Sequence, residues 1–294
     1  MDGSHGAPRN PEKEVPFDQD FFQIQIEFAR AAAELQGIPF ETVLENALLK
    51  YTSVYNFIGE RGRGSGPLKE AYDEFTERAR PYAAEGKYAE HNERNDREIA
   101  RIAHEMYMDQ RSRSKVENEE RQFGCFSYRI YRSENTDEQK KISIHFKNRD
   151  SKGGGPLSSG KIASRQRDLY EMFKEIRRLH PTDDYLVTGE SWLYNEPKYR
   201  ALFPEEYQAS LDNPENVAPI RQLLWGLIVW GQFLKADGTV DPKRRKEFSD
   251  RVAKARNLTE LLNAFPLKVL TPRAPVSVFY KMVDEYERSH SQIA

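Results

Sequence analysis

The chain has 294 residues, with 45 Lys and Arg against 47 Asp and Glu and a formal charge of −2; that balance excludes the strong basic excess of a general nucleic-acid binder. A mean hydropathy of −0.83, with no apolar stretch near the ~20 residues of a membrane span, excludes a transmembrane helix. An aromatic content of 12% excludes a disordered chain, and the single cysteine, Cys125, excludes an intrachain disulfide and a cysteine-only metal site.

Residues 1–16 are rich in Pro, Gly and charge and read as a disordered tail. They lack the basic-then-apolar pattern of a secretory signal, so the expected location is the cytoplasm. From Phe17 the apolar residues Phe21, Ile24, Phe28, Ala31, Ala32 and Leu35 recur at three- and four-residue steps, which predicts a helix ended by Gly37. A second helix is expected from Pro39, with Val43, Leu44, Leu48, Tyr51, Val54 and Ile58 on one face, antiparallel to the first. A glycine-rich loop, Gly59–Gly66, leads to a helix starting at Pro67, and a highly charged helix spans about Tyr88–Arg113.

The period then changes. Phe123–Tyr131 is aromatic and β-branched, and Lys141–Lys147 alternates Ile142, Ile144 and Phe146 with Lys141, Ser143 and His145; together they predict an antiparallel hairpin. A Gly/Ser/Pro loop, a helix over Gly160–Leu179 and a third strand over Tyr185–Leu193 follow, then a short helix over Pro197–Leu202. The apolar run within Ile220–Leu234 predicts a buried strand, with Trp225 and Trp230 on opposite faces. Asp241 and Pro242 begin a basic helix to Ala255, a short helix covers Asn257–Phe265, and Val276–Met282 is a last strand or the start of a final helix. The expected class is α+β: a helical unit over 17–115, then a unit over 116–294 with a mixed or antiparallel sheet and flanking helices.

Three stretches carry candidate chemistry. Gly155–Lys161 has the spacing G-x-x-x-x-G-K between a strand and a helix, where a helix N-terminus and Lys161 would suit a phosphate. Ile162 stands where that motif needs a magnesium-holding hydroxyl, so a nucleotide-dependent enzyme is the third-ranked reading and a plain connector the simpler one. Arg61, Gly64 and Gly66 fit R-x-x-G-x-G ahead of a helix, the form of a pyrophosphate cradle or of an ordinary turn. His145, Glu190 and Ser191 sit at strand ends, with His145 and Glu190 as candidate bases, although Ser191 lacks a nucleophile-elbow context. The residues show no zinc or calcium ligand pattern. The basic helix near Arg244 and Lys246 reads as a solvated face, with an anionic partner as the alternative.

The order of His145, Gly155-Pro156-Leu157, a helix and Ser191-Trp192-Leu193 resembles the C-terminal domain of a bacterial family of GNAT-like acyltransferases, over roughly Gln122–Met282. The resemblance implies a GNAT-like sheet and transfer of an acyl group from coenzyme A to a small amine or hydroxyl. His145 or Glu190 would then take the acceptor's proton. Gly154, Gly155, Gly160 and Lys161, or Arg61, Gly64 and Gly66, would hold the pyrophosphate. The competing expectation is a non-catalytic ligand-binding or scaffold protein of the same fold.

Overall fold

Asp18 starts the architecture. Its carboxylate accepts the Phe21 N–H and caps α1 (Gln19–Leu35). Phe21, Phe22, Ile24, Ile26, Phe28, Ala29, Ala32 and Ala33 are all buried, so the helix is enclosed on most of its circumference. Gly37, at φ +64°, supplies the left-handed turn that ends it. The computed structural model describes residues 15–59, 66–84, 89–113, 121–131, 140–148, 150, 155–181 and 184–291.

The second helix expected through Ile58 is instead α2 (Phe40–Asn46), a 3-10 turn at Leu48–Lys50 and α3 (Tyr55–Ile58). The break has a cause: buried Gln25 on α1 accepts both the backbone N–H and the hydroxyl of Ser53 through its Oε1, at 2.7 and 2.8 Å. The chain bends to satisfy that buried amide. Next come α4 (Gly66–Ala79) and α5 (Ala89–Arg113), which pack on each other, and α5 also packs along α1.

The sheet is mixed and runs in sequence order: β1 (Gln122–Phe123), β2 (Phe126–Tyr131), β3 (Lys140–Phe146), β4 (Tyr185–Gly189) and β5 (Arg273–Pro275). The expected single strand over Phe123–Tyr131 is divided by a tight turn at Gly124, φ +58°, where a Cβ would collide with the Asp168 carboxylate. β2 and β3 pair antiparallel, and β3 and β4 pair parallel through the crossover helix α6 (Ile162–Leu179). β4 ends at Gly189 rather than Leu193, because Ser191 caps a 3-10 turn at Trp192–Asn195.

The short helices α7 (Pro197–Arg200) and α8 (Glu205–Ala209) follow. Ile220–Leu234 is not a strand: it holds 3-10 turns around α9 (Leu227–Trp230). Leu224, Val229, Trp230 and Phe233 are buried while Trp225 is 54% exposed, so burial follows turns rather than a pleat. Trp230 Nε1 donates to the Leu224 carbonyl at 2.8 Å, folding the run onto itself. Then come α10 (Pro242–Val252), capped by Asp241 as the sequence predicts, and α11 (Leu258–Leu262). Val276 opens a helix, α12 (Val276–Ser291), which lies against α6.

Among the described residues there are two hydrophobic cores, and the first draws residues from both sides of residue 116. The first joins α1, α2, α4 and α5 to Leu224, Trp230, Phe233, Phe248 and Phe265. The second joins the sheet, α6 and α12 to Tyr194, Tyr199, Phe203 and Tyr207. No helix among the described residues is long and apolar enough to cross a membrane.

Candidate functional site

The crossover through α6 brings the C-terminal ends of β3 and β4 side by side, the usual place for a site in an open sheet. Pairing runs from Lys140↔Tyr185 to Ile144↔Gly189. His145 and Glu190, two of the sequence candidates, each lie one residue beyond the last paired position. His145 faces Ser127 across the β2–β3 ladder. Glu190 is solvent-exposed, yet the protein around it desolvates its carboxyl enough to raise the pKa above the ordinary value.

Beyond Gly189 the chain leaves β3. Ser191 exchanges backbone hydrogen bonds with Leu270, each 3.1 Å. Its hydroxyl accepts the Leu193 N–H at 3.1 Å, so the oxygen serves the turn that follows.

The core face beneath Gly189 is filled with rings. A Cβ on Gly189 would collide with the hydroxyls of Tyr194 and Tyr207. Those hydroxyls bond each other at 2.9 Å inside the second core. Burial holds the phenols of Tyr194, Tyr199 and Tyr207 well above their ordinary pKa, so they stay neutral. Phe146 stacks edge-on to Tyr199 at 5.1 Å and to Phe126 at 5.1 Å, closing the end of β3.

The basic groups beside this end are engaged with acids. Lys161 Nζ donates to the Asp150 carbonyl at 2.9 Å and to its carboxylate at 2.8 Å. Buried Arg165 reaches the other Asp150 oxygen and Asp168, each at 3.1 Å, and donates to Cys125 Sγ at 2.5 Å. Burial raises the Asp168 carboxyl despite Arg165 and Arg167 nearby. In this arrangement Lys161 and Arg165 clamp Asp150 and tie the loop to α6. Gly155 begins a turn closed by the Ser158 N–H, and Gly160 has open space where a side chain would go.

The second glycine candidate is elsewhere. Gly66 opens α4, which packs on α3 and α5 in the helical region. Arg61, Gly64 and Gly154 lie outside the described residues. On the basic helix α10, Arg244 contacts Glu196 at 3.3 Å and lies 5.4 Å from the Trp192 ring, and Arg245 pairs with Asp20 and Glu27. That face binds the protein's own acids.

Sequence reasoning missed Asp150, Arg165, Asp168 and the Tyr194–Tyr207 pair. Arg165 and Asp168 are three apart on α6, a spacing that places them on one face. Nothing in the sequence says that this face is buried. Comparison with known proteins found no matching family, no similar curated protein and no similar solved structure.

Proposed function

We propose that the protein is a non-catalytic binding or scaffold protein whose sheet keeps a GNAT-like strand order without acyl-transfer chemistry. The observation that carries this reading is the tyrosine plug: Tyr194 and Tyr207 fill the gap beneath Gly189 that an acyl-pantetheine arm would need. The engagement of Lys161 with Asp150 supports it, because an anion at the Gly155–Lys161 loop would have to break that ion pair first. The same pair weighs against the nucleotide-dependent reading.

Acyl transfer is the second reading. Its support is the placement of His145 and Glu190 one residue past the last paired positions of two parallel strands, with the Glu190 carboxyl raised toward the range of a base. In that mechanism coenzyme A supplies the acyl thioester, and His145 or Glu190 takes a proton from the acceptor amine or hydroxyl.

Thermal unfolding with millimolar coenzyme A or acetyl-coenzyme A separates the readings. A ligand at a hundredfold excess over its Kd adds about 2.7 kcal/mol to the native state. The scaffold reading expects no shift with either compound. A saturable rise in Tm with acetyl-coenzyme A that His145→Ala leaves intact, together with acetyl transfer that this substitution abolishes, would replace it with acyl transfer.

A further inference from the structure

The two faces of the sheet differ. Ile142, Ile144 and Val187 are buried on the face that α6 and α12 cover. Residues one step away along each strand belong to the opposite face. There the register sets side chains in rows. Arg129, Ser143, Thr188 and Arg273 are successive partners across β2, β3, β4 and β5. Tyr131, Lys141, Leu186 and Pro275 form the neighbouring row.

Neither row is buried. Arg129, Tyr131, Lys141, Arg273 and Pro275 are exposed, and Ser143, Leu186 and Thr188 are half-buried. The side chains of Lys141, Ser143 and Thr188 have no hydrogen-bond or ion-pair partner among the described residues. Arg273 is held loosely, its Nη2 3.8 Å from Glu215 Oε2 with both side chains exposed.

The two rows hold three cations and no acid, a local positive surface in a chain of net charge −2. From β2 to β5 it spans three strand spacings, about 14 Å. Tyr131, 48% exposed, stands opposite Lys141 across the β2–β3 ladder. An exposed ring among cations suits a single strand of nucleic acid: phosphates meet Arg and Lys, and a base stacks on the ring. The Ser143 and Thr188 hydroxyls add donors for phosphate oxygens. An acidic peptide would leave the ring unused, and a duplex keeps its bases stacked on one another and has none to offer it.

We propose that this outer face of the sheet binds single-stranded nucleic acid, with phosphates along the row from Arg129 to Arg273 and a base on Tyr131. The face lies across the sheet from the Tyr194–Tyr207 pair beneath Gly189, so the proposal stands whether or not coenzyme A binds.

The probe is a fluorescein-labelled thymidine oligomer of about eight nucleotides, titrated with the full chain and read by fluorescence anisotropy at low and fourfold higher salt. Saturable binding is expected, weakened about twentyfold by the added salt, because three phosphate contacts on a single strand give a logarithmic slope near −2. Tyr131→Ala should weaken binding about tenfold, and Tyr131→Phe should keep it. Lys141→Gln should reduce the salt effect to about sevenfold. Lys243→Gln, at an exposed position on α10, should change nothing. No saturable binding at the lower salt, equal affinity for a duplex of the same length, equal affinity for polyglutamate, or a Tyr131→Ala variant that binds as tightly as the parent would overturn the proposal.

Discussion

Tyr194 and Tyr207 form a buried hydroxyl pair, each the other's hydrogen-bond partner at 2.9 Å. Removing the Tyr194 hydroxyl leaves that of Tyr207 desolvated, with its hydrogen bond lost. Tyr194→Phe or Tyr207→Phe should therefore cost about 1–3 kcal/mol, while the double substitution should cost less than the sum of the singles. Urea midpoints of the four proteins in the cycle test this; additive losses would show that the hydroxyls do not act as a pair. The same residues explain what was legible at this scale. The placement of His145 and Glu190 at strand ends could be read, because alternation and glycine mark where strands stop. The tyrosines could not, because a Tyr in a short helical segment carries no sign of which gap it will fill. Arg30 was equally hidden: it stands in the apolar run of α1, and only the fold supplies Asp96 to meet it.

At the scale of elements, caps and alternation were the reliable signals. Asp241-Pro242 opens α10, and the alternation of Lys141–Lys147 gives a strand with Ile142 and Ile144 buried. The failures share one cause. Val43–Ile58 and Ile220–Leu234 are apolar enough for a continuous element, but Ser53 is drawn to Gln25 and Trp230 to the Leu224 carbonyl. Contacts outside the local pattern decided both shapes. β5 spans only Arg273–Pro275, too short for any period to show. Asp18 does more than cap. Its Oδ1 accepts from Phe21 and its Oδ2 from the Val240 N–H, each at 3.0 Å, joining α1 to the turn before α10. Asp18→Ala should then cost about 2 kcal/mol or more, against about 1 kcal/mol for the ordinary cap lost in Asp241→Ala. Denaturant titrations of both variants give the comparison, and equal losses would assign Asp18 to capping alone.

For the whole molecule, the arrangement of the two cores matters most. Phe28 of α1 lies within 5.9 Å of the rings of Trp230, Phe248 and Phe265. The helical region thus takes much of its aromatic packing from residues that follow four strands of the sheet. Hydropathy marks all of these positions as core, but it cannot say which core. A fragment of residues 1–116 is expected to lack a cooperative thermal transition, since it would expose the faces that Trp230, Phe233 and Phe265 cover. Near-ultraviolet circular dichroism of that fragment, alone and mixed with residues 117–294, tests this; a sharp transition in the isolated fragment would show that its helices suffice.

The long excursion between the two halves of the first core also has a consequence in time. A ribosome adds roughly 5–20 residues per second, and domains ordinarily fold as they emerge. Here α1 emerges early, but Phe265 must be synthesised before the aromatic cluster around Phe28 can close. For on the order of ten seconds, α1, already able to pack on α2 and α5, waits for Trp230, Phe248 and Phe265 to cover its remaining face, and the sheet, though it begins later in the chain, has four of its five described strands available first.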